Sequence, residues 1–226
     1  MSSSKYIQKL VDDSLLMKEK NREHRVRSGK WNPSSFGRCF RFQYWNRLNE
    51  KKSNPLTIQT LRIFAAGHLF HDFIENLLPE GHDVEVEVSV DDVFGYADVV
   101  ESSCVTDIKS IRSWGMKAIK KLSKEQFESD KRSNIIQVMT YAVLLHKPKG
   151  RLVFVDKDGV EIREYEFKTV DWEQDVKDEL TILRQYWEGK ELPPAIPRTY
   201  GGKECNYCAF HDKCLGVENP FKKEKK

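Results

Sequence analysis

The sequence predicts an α/β protein with a mixed β-sheet flanked by helices. Three features support this fold class: a long apolar helical segment before residue 80, a run of short strands between residues 83 and 108, and a second strand pair followed by a long helix. The order helix, strands, helices, strands, helix is typical of a sheet covered by helices. With 226 residues, 39% of them hydrophobic, the chain can bury its own core as one domain.

The first long helix is predicted from about Thr57 to Leu78, after the start signal Asn54-Pro55. Its apolar residues form two stripes at helical spacing, which predicts a helix buried on most sides. A narrow polar face remains and is a candidate wall of an active site. This face carries His68, His71, Asp72 and Glu75.

Three strands are predicted next. Apolar residues alternate with acidic or polar ones from Asp83 to Val90, the period-two pattern of a half-buried strand. Val93 to Val100 and Cys104 to Ile108 follow, separated by a segment short enough for a hairpin. We therefore expect a three-stranded antiparallel meander.

Two helices, a hairpin and a final helix complete the prediction. The helices are Trp114 to Glu128 and Asn134 to His146, the hairpin strands are Arg151 to Val155 and Val160 to Phe167, and the final helix is Asp171 to Trp187. Residues 1–220 are predicted to be a single domain, and residues 221–226 a solvated basic tail.

Composition indicates a cytoplasmic protein with no membrane partner. The beginning of the chain lacks the apolar region of a signal peptide, and no apolar run approaches the roughly 18 residues of a membrane span. The net charge of +3 is too small to indicate nucleic-acid binding by itself. Five cysteines in a reducing compartment are more typical of metal ligands or catalytic groups than of disulfides.

Two acids and a lysine on neighbouring strands form the first candidate site. A hairpin brings Asp98 close to Asp107, and Lys109 shares a strand face with Asp107. Carboxylates in this arrangement suit magnesium or manganese, and a lysine beside them can orient an attacking water. The alternative is an exposed hairpin whose acids and lysine form ordinary surface ion pairs.

The segments G-Y-A-D at Gly95 to Asp98 and V-T-D-I-K at Val105 to Lys109 resemble the PD-(D/E)XK nuclease superfamily in its RecB-like form, although Ala97 replaces the proline of the motif. The resemblance implies a restriction-endonuclease-like core. It extends to G-x-x-x-H ending at His71 and to Q-x-x-x-Y. The implied metal ligands are His71, Asp98, Asp107 and the backbone carbonyl of Ile108, and the implied catalytic set is Asp98, Asp107, Lys109, Gln137 and Tyr141.

Four cysteines form the second candidate site. Cys205, Cys208 and Cys214 have metal-binding spacing, and Cys39 is the candidate for a fourth thiolate. One early and three late cysteines resemble the iron-sulfur nucleases, which include the CRISPR-associated adaptation exonuclease and AddB-type subunits. That resemblance implies a [4Fe-4S] cluster that joins the N- and C-terminal segments. Zinc is the alternative, in which His211 could replace one ligand.

The expected function is hydrolysis of DNA phosphodiester bonds, with one or two magnesium or manganese ions, by an exonuclease that acts on single-stranded DNA. Two alternatives remain: a catalytically silent DNA-binding module and a zinc-stapled interaction domain. The sequence leaves open a homo-oligomer or partners in an adaptation complex. Two groups of residues are candidates for contact with DNA. One is Lys117, Lys120, Lys121 and Lys124, which fit a solvated helix face better than a phosphate-binding stripe; the other is Arg22, Arg25, Arg27, Lys30 and Trp31, which could grip a single strand.

Overall fold

The computed structural model describes residues 5–23 and 28–216. Between residues 58 and 188 the order of helices and strands follows the prediction, with one predicted helix divided in two, whereas the helices outside this range were not predicted. In order, the helices and strands are α1 (Tyr6–Glu23), α2 (Phe40–Arg47), α3 (Ile58–Glu75), β1 (Asp83–Val90), β2 (Val93–Val100), β3 (Cys104–Ile111), α4 (Ser113–Ile119), α5 (Lys124–Asp130), α6 (Arg132–Leu144), β4 (Lys149–Asp156), β5 (Ile162–Lys168), α7 (Thr169–Glu188) and α8 (His211–Leu215).

The five strands form one mixed sheet in the order β1-β2-β3-β4-β5. The predicted meander is confirmed, because β1 pairs with β2 and β2 with β3, both antiparallel. β3 and β4 are parallel, whereas β4 and β5 form an antiparallel hairpin. A parallel pair requires a crossover connection, and α4, α5 and α6 supply it. The prediction of a mixed sheet flanked by helices is therefore confirmed.

Helices cover the two faces of the sheet unequally. The main core lies on the face of α6 and α7, where Ile135 and Met139 of α6 are completely buried. On the opposite face a smaller cluster of sheet residues packs against α3. It consists of Val99, Ile108, Val153 and Val155, with Phe70, Ile74 and Leu78 against them.

The alternation of side chains between the two faces of the sheet is interrupted where Glu85 of β1 lies across from Asp98 of β2. The regular pairing of the two strands skips this position. On one side of this pair Val86 lies opposite Ala97, and both pack into the main core. On the other side Val99 packs into the α3 cluster instead. Glu85 has a φ of 48°, a left-handed conformation that is uncommon for a residue other than glycine. Side chains therefore change faces at this point, which a period-two pattern does not reveal.

The prediction of one continuous helix from Trp114 to Glu128 is wrong, because the chain forms two helices here, α4 and α5. Ser123 is the N-cap of α5: its side chain accepts a hydrogen bond from the backbone of Gln126, and the Gln126 side chain accepts one from Ser123 N–H. This capping box starts a new helix and ends the continuity of the first.

The prediction that the helix from Thr57 to Leu78 is buried on most sides is also wrong. Leu61 is the one residue of α3 that is fully buried, and the side chains of Leu69 and Leu77 are 66% and 70% exposed. The sheet covers one apolar stripe, through Phe70 and Ile74. Packing of α1 against α3, with an ion pair from Asp12 to Arg62, covers only part of the other stripe.

Two buried glutamates join the early and late segments of the chain. Glu179 of α7 accepts hydrogen bonds from Gly37 N–H at 2.9 Å and from the Gln43 side chain at 2.7 Å. Glu204 accepts one from Cys39 N–H at 3.1 Å. Buried carboxylates require such partners, so these contacts fix the segment around Cys39 against the C-terminal loop.

None of the helices in the described part of the chain is both long and apolar enough to cross a membrane.

We expect Gly95→Ala to destabilise the fold. A Cβ at this position would collide with the Tyr141 hydroxyl and lie 3.2 Å from Cδ of Pro33. Overpacking of this kind costs about 1–3 kcal/mol. The measurement is the free energy of unfolding in urea. Gly115→Ala is the control, because its Cβ would have no neighbour closer than 3.7 Å and alanine is favoured in a helix by about 0.5–1 kcal/mol. Equal stability of the Gly95 variant and the parent would contradict the packing described here.

Candidate active site

The site lies where β2 and β3 separate. The two strands are paired at only two positions, Val99 with Thr106 and Val100 with Val105. Beyond them the Asp98 carboxylate fills the opening, and its Oδ2 accepts a hydrogen bond from Ile108 N–H at 2.7 Å. The N–H and carbonyl of a strand residue point to the same side, so the Ile108 carbonyl also faces this opening.

Lys109 contacts Asp107, as the spacing of the two residues predicts. Its Nζ lies 2.9 Å from Oδ1 and 2.8 Å from Oδ2 of Asp107. It also lies 3.3 Å from Oε1 of Gln137 on α6. The Asp107 side chain is only 3% exposed, which argues against an ordinary surface ion pair. One strand residue and one helix residue thus hold the ammonium group.

Tyr141 is one helical turn beyond Gln137 and lies under the same part of the sheet. It is buried, and its hydroxyl reaches the backbone of Gly95, where the missing side chain leaves room. Burial raises the pKa of Tyr141, and the charges of Asp107 and Asp98 raise it further. The phenol is therefore protonated at neutral pH and can donate a hydrogen bond.

His71 brings α3 to the site. Its Nδ1 lies 3.5 Å from Oδ2 of Asp98. Burial lowers the pKa of His71, and the nearby Lys109 lowers it further. A neutral imidazole is the form that binds a metal ion, so the environment of His71 favours that form.

Burial also acts on the two acids. It raises the pKa values of Asp98 and Asp107, and in both cases Lys109 opposes the increase. Carboxylates desolvated in this way, close to one cation, are typical of sites that bind ions or substrates.

Two further acids lie beside His71. Oxygen atoms of Glu75 and Glu85 and a ring nitrogen of His71 all lie within 4.8 Å of one another. Burial raises the pKa of Glu75 to about 7, and the charges of Glu85 and Asp98 contribute. Sequence reasoning placed Glu75 on the polar face of the helix but gave neither acid a role. The signal available was the spacing of four residues between His71 and Glu75, which puts both on one helix face.

The four cysteines predicted as ligands lie around one cavity. Cys39, Cys205, Cys208 and Cys214 all line a space of about 140 Å³, together with His211. The aromatic residues Phe42, Trp45 and Phe210 pack beside the thiols. Cys39 is the N-cap residue of α2, while the other three cysteines belong to the C-terminal loop and α8. Cys104 is buried in β3, away from this cavity.

The thiols are less tightly grouped than the acids beside His71. Among the described residues, no three cysteine sulfurs lie within 4.8 Å of one another, a criterion that His71, Glu75 and Glu85 satisfy. Burial raises the pKa values of Cys39, Cys205 and Cys208. Neighbouring thiols contribute to each increase, so the four groups share one electrostatic environment.

The proposed single-strand grip is wrong at Trp31. This ring is 1% exposed and packs edge-on against Trp187, with the Arg47 guanidinium 4.4 Å from its centroid. It cannot stack on a base. Lys30 instead donates a hydrogen bond to the Ser89 hydroxyl. Arg25, Arg27 and the side chain of Arg22 lie outside the described residues.

The four lysines proposed as a solvated face do not lie on one helix. Lys117 belongs to α4 and Lys124 to α5. Lys120 is bound to Glu161. These lysines are exposed but do not form a stripe along one helix face.

Comparison with known proteins reveals similarity in structure alone, since no protein-family profile and no curated protein sequence matches the chain. SSO0001 has a similar crystal structure, with a TM-score of 0.55 and 22% identity over 92% of this chain and 96% of that one. The alkaline exonuclease LHK-Exo from Laribacter hongkongensis gives a TM-score of 0.45, with 15% identity over 73% of this chain and 94% of its own. Its complex with dAMP gives 0.41, with 16% identity over 72% and 93%. The chain thus shares its fold with SSO0001.

Proposed function

We propose that this protein is a metal-dependent DNA nuclease of the PD-(D/E)XK type, with its catalytic centre at the opening between β2 and β3. The observation that carries the proposal is the Lys109 ammonium group, which contacts the buried Asp107 and the Gln137 amide oxygen beside Asp98. Burying charged groups is costly. A protein that keeps charged groups desolvated beside the opening between β2 and β3 can bind and polarise a charged substrate.

The proposed metal ligands are His71, Asp98, Asp107 and the Ile108 carbonyl. This donor set is rich in oxygen, as magnesium and manganese prefer. A bound divalent ion would supply positive charge to a phosphate oxygen and lower the pKa of a coordinated water. The neutral state of His71 and the depth of Asp107 fit such an ion.

The side chains of the protein have separate roles in this proposal. Lys109 orients the attacking water and balances the charge that develops on the phosphate. Gln137 holds the Lys109 ammonium group in position through its amide oxygen. Tyr141, fixed under Gly95, supplies a neutral hydrogen-bond donor near the two acids.

We propose DNA, and single-stranded ends in particular, as the substrate. The support is the resemblance of the motifs around Asp98 and Lys109 to RecB-like nucleases that require DNA ends. The oligomeric state and any adaptation-complex partner stay predictions from that same resemblance.

We further propose a [4Fe-4S] cluster on Cys39, Cys205, Cys208 and Cys214, where it would serve as a structural clamp between early and late segments. The convergence of the four thiols on one apolar cavity supports this assignment. Zinc binds thiolates at about 2.3 Å, which draws the four sulfurs to within about 4 Å of one another. Four thiolates also suit zinc, so zinc stays the alternative.

Lys109→Ala should remove most of the DNA cleavage and leave the fold intact. Loss of a charge-stabilising group from a catalytic centre typically lowers the rate about 100- to 1000-fold, while a half-exposed lysine leaves no cavity in the core. Single-turnover cleavage with magnesium or manganese, beside thermal unfolding, measures both effects. The exposed lysine in Lys117→Ala serves as control. Cleavage by the Lys109 variant at the parent rate would refute the catalytic assignment.

Linear single-stranded DNA should be degraded under conditions in which circular single-stranded DNA persists. An enzyme that requires an end cannot begin on a circle. Gel analysis of labelled linear and circular molecules of the same sequence gives the answer. Rapid cutting of circles would instead indicate an endonuclease and exclude the end requirement.

Protein purified without oxygen should be brown and contain about four irons per chain. Cys39→Ala should lose the colour and lower the melting temperature, because ligand formation contributes folding free energy. Absorption spectra, metal analysis and melting curves test this. Cys104→Ala is the matched control and should keep its iron. Stoichiometric zinc without iron in such protein would refute the cluster and leave the nuclease proposal standing.

A further inference from the structure

The acids Glu75 and Glu85 lie beside the proposed catalytic ion but belong to none of the groups assigned above. Glu75 is on the last turn of α3, and Glu85 is on β1 directly opposite Asp98. One oxygen of each acid and a ring nitrogen of His71 all lie within 4.8 Å of one another. Two consecutive elements of the chain, α3 and β1, therefore bring carboxylates to one point.

The environment of Glu75 is the first reason to assign a ligand here. Its side chain is only 10% exposed. Oε1 is buried and has no hydrogen-bond partner in the described part of the chain. The nearest basic group is Nδ1 of His71 at 4.0 Å, beyond hydrogen-bond distance. Buried polar atoms in native structures are almost always satisfied, so this oxygen is open to a ligand that the described residues do not supply.

The backbone of Glu85 is the second reason. Its φ of 48° places it in the left-handed region, a strained conformation for a residue other than glycine. The irregular pair that it forms with Asp98 turns the Glu85 side chain toward His71 and Glu75 instead of following the strand alternation. Strain of this kind persists where the surrounding structure or a ligand makes use of it.

We propose that Glu75 and Glu85 hold a second divalent cation, magnesium or manganese, beside His71. Two carboxylates with water completing the shell are the usual protein contribution to a magnesium site. His71 stands at the border, with Nδ1 3.5 Å from Asp98 and 4.0 Å from Glu75. The two cations would thus be neighbours, as in two-metal phosphodiesterases. This inference rests on the proposed function for the identity of the neighbouring ion.

The experiment counts manganese bound to the full-length protein, by titration with electron paramagnetic resonance detection of the free ion. The parent should bind about two manganese ions per chain. Glu75→Gln and Glu85→Gln should each lose one, and Asp107→Asn should lose the other. Glu87→Gln is the matched control on β1, because its side chain is exposed and bonds to the Tyr96 hydroxyl; it should bind as many ions as the parent.

Thermal unfolding gives an independent readout. Without metal, Glu75→Gln should melt at a higher temperature than the parent, since the variant removes a buried carboxylate charge while keeping its shape. Manganese should then raise the melting temperature of the parent more than that of the variant.

The outcomes separate the two proposals. If the glutamine variants bind as many ions as the parent, the second cation site does not exist. If Asp107→Asn alone then loses an ion, the catalytic site still stands. Conversely, ion loss in the glutamine variants but not in Asp107→Asn would support the site at Glu75 and Glu85 and refute the catalytic ion.

Discussion

The hydrogen bond from Ile108 N–H to the Asp98 carboxylate controls the architecture of the candidate site. It replaces a strand-to-strand bond with a side-chain bond at the position where β2 leaves β3. A backbone donor at this depth must be satisfied, and the carboxylate satisfies it while keeping the sheet open. The Ile108 carbonyl, the second Asp98 oxygen and the neighbouring Asp107 can then face a common space that a continued ladder would have closed.

The opening between β2 and β3 also depends on how β2 pairs with β1 on its other side. The irregular pair of Glu85 and Asp98 reverses the side-chain alternation on both strands, so that Ala97 packs toward α6 and Val99 toward α3. Asp98 is located at the reversal itself and can lie near the plane of the sheet. Helices on both faces then reach it, α3 through His71 and α6 through the support that Gln137 gives to Lys109.

Local patterns in the sequence predicted the parts of the structure that local chemistry decides. Alternating valines gave β1, and the spacing of Asp107 and Lys109 placed their charges together. The pairing of β3 with β4 depends on contacts across a crossover and has no local signature. α2 was missed because its segment F-R-F-Q-Y-W-N-R mixes apolar and charged residues without a clear stripe, and it is buried through contacts such as Gln43 with Glu179. Convergence of Glu75 and Glu85 requires a left-handed residue within a strand, which a sequence of good strand formers does not predict.

The contacts of Glu179 and Glu204 with the segment around Cys39 have a consequence for biosynthesis. Glu204 meets Cys39 across 165 positions of the chain. At roughly 5–20 residues per second, a ribosome needs about 8–33 seconds to reach Glu204 after it has made Cys39. Throughout that interval the Cys39 thiol has none of its three cysteine neighbours. Assembly of the four-thiol cavity is thus a late event that follows translation of Cys214, the last of the four cysteines.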